Sequence, residues 1–323
     1  MALDDCKTSR RAFSALALGT ALSGGALRLA LAGDPSSASS ARSWQRRLAT
    51  APKLFCLAYI TPDAPGQGGQ EPTVARYPLA VMGQERRAAA LRFRGRIREL
   101  NPEIVTLGYQ MTIEENTVPG PGHDLLRQLA GCWVQDGSDA FTVTVSPGKK
   151  RRVYDTRRRE WQDKFVQACL TTLNADPYEG LFLDQCTVYS TVSPDREVRE
   201  DMQAGIQAAL RELRRQAPDA LIVANSSFSF DDVNGELNEN RPRDYAKELA
   251  PYAGHSQPNV DLAHITIKSD ADRQALKSYM DKAHRYGAYF GAARDYQHVE
   301  WYEEFNSPPP VPNPPSKPSV END

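Results

Sequence analysis

A chain of 323 residues has room for one large domain, and 40% apolar with 25% charged residues is the balance of a globular protein with a sizeable core. The 39 basic side chains face 41 acidic ones, a formal charge of −2 that excludes the basic excess of a nucleic-acid binder. Five histidines without an HExxH-type grouping, and five cysteines with neither zinc spacing nor a dense disulfide pattern, point to no metal and no cofactor.

Residues 1–32 read as an export leader. Arg10-Arg11 and Phe13 precede a moderately apolar stretch from Ala15 to Leu31, and Ala30-Leu31-Ala32 offers small residues to a signal peptidase. The pattern resembles a twin-arginine signal and implies a periplasmic or extracellular protein. Arg28 interrupts the stretch, so no integral membrane span is expected in the mature chain. Residues 33–50, rich in Ser, Ala and Arg, read as a linker, and 51–305 as the folded domain. Residues 306–323 hold seven prolines and read as an extended, disordered tail.

Within the domain, strand-like runs alternate with helical ones. Leu54–Ile60 is the first expected strand, followed by a Pro- and Gly-rich loop. Ala90, Phe93, Ile97 and Leu100 share a helix face that Asn101-Pro102 ends, and Ile104–Tyr109 is the second strand. A short helix is expected over His123–Ala130. Cys132–Gln135 reads as the third strand, returning through Asp136-Gly137 as Phe141–Val145. The basic run Lys149–Arg152 reads as a solvated loop. Asp155 or Thr156 is the expected cap of a helix whose apolar face is Trp161, Phe165, Cys169 and Leu173.

The fourth strand is Leu181-Phe182-Leu183, a short apolar run that ends in Asp184. A helix with Met202, Ile206, Leu210 and Leu213 on one face follows, then strands at Leu221–Asn225 and Val233–Glu239. Asp244–Leu249 reads as helix and Leu262–Lys268 as strand seven. Leu276, Tyr279, Met280 and Ala283 mark a further helix, and Ala288–Ala292 is strand eight. Eight strands with intervening helices predict an α/β fold, a single-domain (β/α)8 TIM barrel. No Gly-rich phosphate fingerprint follows the first strand, which disfavours a dinucleotide fold.

In a barrel the C-terminal strand ends face one pocket. Those ends are Tyr59, Tyr109, Gln135, Asp184, Asn225, Glu236 or Glu239, Lys268 and Arg294. Aromatic rings, amides and carboxylates together suit a carbohydrate, with Tyr59, Tyr109, Gln135, Asn225, Lys268 and Arg294 as binding candidates. Alternation along strand seven turns His264, Thr266 and Lys268 inward and Ala263, Ile265 and Ile267 toward the helices. His264 is expected to be a hydrogen-bonded core residue. The same parity puts Asp184 on the inner face with Phe182.

Three blocks carry a family resemblance: Trp133–Gly137; Val153-Tyr154-Asp155 with Tyr178–Asp184; and Asn234-Gly235 with Glu239-Asn240. Together they span residues 133 to 240, and they resemble bacterial TIM-barrel glycoside hydrolases of the family 114, endo-polygalactosaminidase type. Such proteins more often carry Asp where this chain has Glu179. The resemblance implies an exported enzyme that cleaves a polysaccharide, with Asp184 as nucleophile or base. Glu239, with Glu236 as the fallback, is the implied general acid. One ionised and one protonated carboxylate flanking the bond is what glycoside cleavage requires. A non-catalytic carbohydrate-binding barrel is the alternative, and a hydrolase using Cys186 as nucleophile is a third reading.

Overall fold

The structure, a computed structural model, describes residues 44–129, 131–136, 139–146, 149–190, 192–193, 195–225, 230–239 and 259–306, all within the compact unit Ser36–Asp323. The leader, the Pro-rich tail and the helix expected at Asp244–Leu249 lie outside the described residues.

Eight parallel strands pair in chain order: β1 Phe55–Ala58, β2 Leu79–Met82, β3 Val105–Met111, β4 Gly180–Asp184, β5 Leu221–Ala224, β6 Gly235–Glu239, β7 Leu262–Thr266 and β8 Tyr289–Ala293. A parallel bridge between Leu54 and Phe290, with Phe290 N donating to Lys53 O at 2.9 Å, brings β8 back to β1. The sheet is a (β/α)8 barrel. Outside it run α3 Ala88–Leu100, α5 Arg159–Ala175, α6 Arg196–Gln216 and α7 Asp270–Arg285, with the shorter α2 Glu71–Val74 and α4 Pro121–Leu126. The helix faces read from periodicity are the buried ones: Phe93 and Ile97 on α3, Trp161, Phe165 and Cys169 on α5, and Ile206 and Leu210 on α6. Leu100 is the exception, 42% exposed at the end of α3.

Strand parity divides the core. Phe55, Leu57, Leu79, Val81, Val105, Leu107, Phe182, Leu221, Val223, Leu237 and Leu262 fill the interior. Leu181 and Leu183, like Ala263, Ile265 and Ile267, face the helices. Two β-ribbons leave the barrel between β3 and β4: Gln135–Asp136 against Asp139–Ala140, and Thr142–Ser146 against Lys149–Arg152.

Several expectations change. The second strand is Leu79–Met82, a four-residue run between Pro78 and Gly83 that sequence reading passes over. Cys132–Gln135 and Phe141–Val145 belong to the ribbon excursion, so the count of eight held through two compensating differences. Lys149–Arg152 is a strand, not a loop. Arg158, not Asp155 or Thr156, precedes α5. Asp155 instead pairs with Arg157 at 2.8 Å, and Thr156 Oγ1 donates to Met202 O at 2.6 Å.

Residues 44–50, expected as linker, form a helix, α1. Its Trp44 and Leu48 join the interior cluster. Trp44 Nε1 donates to Asp219 O at 2.9 Å, and Tyr289 Oη donates to Leu48 O at 3.1 Å. Arg47 pairs with Glu179 at 2.7 Å, and Glu179 also accepts from Thr106 N at 2.8 Å. These partners lie at the N-terminal ends of the strands, so α1 closes the barrel floor. Glu179 is a latch there, at the opposite end from Asp184.

Candidate active site

Asp184 stands at the C-terminal end of β4, and its backbone is held from both sides. Thr112 N donates to its carbonyl at 2.9 Å on the β3 side. On the β5 side, Asn225 N donates to Leu183 O at 2.7 Å and Cys186 N to Asn225 O at 2.9 Å. The next residue, Gln185, has φ 56°, the one positive value on a non-glycine among the described residues. That conformation costs energy in an L residue. Here it turns the Gln185 N–H onto Asp184 Oδ1 at 2.9 Å. Asn225 Nδ2 donates to the same oxygen at 2.9 Å, and Tyr109 Oη donates to Oδ2 at 2.6 Å. Three donors converge on one side chain, the hydrogen-bond pattern of a carboxylate.

Glu239 ends β6, two strands on. Asn225 Nδ2 lies 3.5 Å from Glu239 Oε2, so one amide nitrogen bridges both acids. The two contacts, 2.9 and 3.5 Å, cap the separation of the bridged oxygens at their sum, about 6.4 Å. Tyr296 Oη donates to Glu239 Oε1. Burial, then the nearby charge of Asp184, raise the Glu239 pKa above the ordinary carboxylate value, against smaller opposing effects of Asn225 and Lys268. Burial and a like charge together favour the neutral acid.

Glu236 does not belong to this pair. Leu237 is interior, so period-2 alternation turns Glu239 inward with it and Glu236 outward. Glu236 is 7% exposed and acts electrostatically on the outward thiol of Cys186. That thiol is itself no nucleophile: Cys186 is fully buried and its pKa is pushed up to about 12 by burial.

Three tyrosines wall the acids. Tyr59 lies edge-on to Tyr109, with centroids 5.0 Å apart, and to Tyr296 at 5.7 Å. Burial, then the charges of Asp184 and Glu239, raise the Tyr59 pKa well above its usual value, so its phenol stays protonated. His264 sits in register with Glu239, 1% exposed, against the rings of Phe55 and Tyr296. Neither ring nitrogen has a hydrogen-bond partner among the described residues, contrary to the expected hydrogen-bonded role. Burial pushes the His264 pKa down to about 3, so the ring is neutral.

Of the expected binding residues, Tyr59, Tyr109 and Asn225 surround the acids. Lys268 is exposed beyond β7 and lowers the Glu239 pKa electrostatically. Arg294 follows β8 but is 69% exposed and lies 3.4 Å from Glu300. Gln135 is on a ribbon rather than a barrel strand, exposed, with Nε2 on Trp133 O at 3.1 Å. Gln135 therefore ends no barrel strand. Sequence reading passed over Tyr296, which no strand pattern marks, and Glu114, which carries a burial-raised pKa, feels the charge of Asp184 and bonds Arg151 at 3.1 Å. Beside the acids, a cavity of about 300 Å3 opens between Tyr59, Tyr109 and the ends of β2 and β3.

No known family profile matches the chain, and no curated protein does. Among solved structures it is similar to the glycoside hydrolase domain of PelA from Pseudomonas aeruginosa, with a TM-score of 0.50, 14% identity, and coverage of 77% of this chain and 97% of that one. The galactosidase domain of the alpha-galactosidase–sucrose kinase AgaSK matches with a TM-score of 0.50 and 13% identity over 75% of this chain and 37% of that one. The barrel shares its fold with these glycoside hydrolase domains. At such identities the likeness is one of fold, and the chemistry has to be argued from the acids themselves.

Proposed function

We propose that the protein is an exported glycoside hydrolase acting on a polysaccharide through Asp184 and Glu239. The resemblance of its motif blocks to the family 114 type supports that reading, and the twin-arginine pattern of the leader supports export. The observation that carries it is the Asn225 bridge, which sets a hydrogen-bonded carboxylate against a buried carboxyl of raised pKa. In this reading Glu239 gives its proton to the departing glycosidic oxygen. Asp184 attacks the anomeric carbon as that bond breaks. Glu239 then takes a proton from water, which displaces Asp184 and regenerates both groups.

A ceiling of about 6.4 Å between the bridged oxygens falls below the range of about 6.5–9.5 Å used by inverting enzymes. Retention of anomeric configuration is the expected outcome. Digestion of a polysaccharide panel should show cleavage by the wild type, with a loss of at least about 10³-fold for Asp184→Asn and Glu239→Gln at unchanged fold. Full cleavage by Asp184→Asn would sink the assignment. Binding without turnover in the wild type would favour the carbohydrate-binding alternative. A 2-fluoro glycoside of the cleaved sugar should leave a glycosyl adduct on Asp184 by mass spectrometry, whereas an inverting enzyme would leave none.

A further inference from the structure

One contact to the acid pair comes from outside the eight strands. Tyr296 follows β8, and its Oη donates to Glu239 Oε1. The residue is held from several sides. Tyr59 N, just past β1, donates to Tyr296 O at 3.0 Å. Asp295 Oδ1 accepts from the backbone N–H groups of Gln297 and His298 at 2.7 and 2.9 Å, which closes the turn that carries Tyr296. Gln70 ties that turn to the loop after β1, with Nε2 donating to Gln297 O at 2.8 Å and Oε1 accepting from Val299 N at 2.7 Å. The phenol ring lies 5.7 Å from the ring of Tyr59 and 5.6 Å from that of His264. A side chain fixed where β8 meets β1 thus reaches an acid on β6.

This contact bears on which oxygen of Glu239 carries the proton. A neutral carboxyl has one carbonyl oxygen and one hydroxyl. Oε1 receives the phenol proton, which suits the carbonyl and leaves the hydroxyl at Oε2. Oε2 faces Asn225 Nδ2 at 3.5 Å, and the same nitrogen bonds Asp184 Oδ1 at 2.9 Å. The longer contact is what an amide donor makes with a hydroxyl, and the shorter what it makes with a carboxylate. The proton on Oε2 therefore stands on the side of Asp184, where a bond attacked by one acid and protonated by the other has to lie. When that proton leaves, Oε1 keeps its donor, and a hydrogen bond to an ionised acceptor is stronger than one to a neutral group.

We propose that Tyr296 is the positioning residue of the general acid: by binding Oε1 it places the transferable proton of Glu239 on Oε2, toward Asp184, and it steadies the carboxylate left after transfer. This rests on the glycosidase reading above. The other groups facing Glu239 are Asp184 from β4, Asn225 after β5, Tyr59 after β1 and Lys268 after β7, with neutral His264 beside Tyr296. All of them survive in Tyr296→Phe, which keeps the ring and removes only the hydroxyl.

The test is a carbon-13 NMR titration of the full chain, labelled at the glutamate side-chain carboxyls, with the Glu239 signal assigned by its loss in Glu239→Gln. Tyr296→Phe is expected to raise the proton affinity of Glu239 about tenfold, because a donor is lost that binds the ionised form more strongly than the neutral one. An unchanged titration overturns the proposal, since a phenol that only packs leaves the acid alone. A lowered proton affinity overturns it as well, since Glu239 would then be the donor, with its proton on Oε1. On the polysaccharide that the wild type cleaves, Tyr296→Phe should lose about tenfold or more in kcat at little change in KM, and the alkaline limb of kcat should move to higher pH. Full kcat in a variant whose Glu239 titrates higher would overturn the positioning role. Cleavage of no polysaccharide by the wild type, beside the expected titration, would sink the glycosidase reading and leave the bond between Tyr296 and Glu239 as assigned.

Discussion

Asn225 places one amide nitrogen against two acids, and this decides their division of labour. Asp184 takes the shorter contact and two further donors, whereas Glu239 keeps a longer one and is held toward its protonated form by burial. That preference has a pH signature. The folded carboxyl of Glu239 titrates above its unfolded value, so between the two the folded state holds a proton that the unfolded chain has released. Stability therefore falls as pH rises through that window. Glu239→Gln should raise the melting temperature at neutral pH, and the gain should vanish below about pH 4, where the unfolded glutamate is also protonated. Melting curves across pH test this; a gain that persists in acid would point to packing instead. Lys268 opposes the shift, so Lys268→Met should move the alkaline limb of kcat/KM to higher pH.

At the scale of elements, the run Leu181–Asp184 shows what was legible and what was not. An apolar run ending in Asp gave β4 and its rim acid, because burial on both faces leaves a strong mark. Alternation also oriented β7 correctly. The same alternation separates Glu239 from Glu236, but only once the β6 register is known, and its first strand residue is a glycine with no side chain to reveal a face. Leu79–Met82 was missed because four residues carry too little pattern. Cys132–Gln135 was misassigned because an apolar run looks alike in a ribbon and in a barrel. Gly180, the first residue of β4, is glycine for a steric reason: a Cβ there would collide with Leu221 O, a backbone atom of the next strand. Gly180→Ala should cost at least the roughly 1–3 kcal/mol of an overpacked core. Gly95, inside α3 with open space about its Cβ position, should respond in the opposite sense, Gly95→Ala adding about 0.5–1 kcal/mol. Denaturant midpoints of the two variants give a paired check.

For the whole molecule, the barrel mouth carries the chemistry and the floor carries α1. Trp44 is 4% exposed. Trp44→Ala should cost roughly 3–5 kcal/mol, a fall in melting temperature of about 2–4 °C for each. A chain beginning at residue 51 should be weakened at least as much, and one beginning at residue 44 should not. Composition could not show this: the seven described residues of α1 carry no stripe long enough to read, and their two buried apolar side chains look incidental among Ser, Ala and Arg. The floor plug also constrains time. Its partners, Ile104, Glu179, Asp219 and Tyr289, are spread over nearly two hundred residues of chain that follow it. α1, which precedes every barrel strand in the chain, therefore completes its seat only after β8 exists, and contacts of such sequence separation form slowly. Until then the N-terminal end of the chain stays undocked. Any segment joined ahead of α1, the proposed export leader included, is thus tied to the last step of assembly, and its surroundings report whether the barrel beneath it is complete.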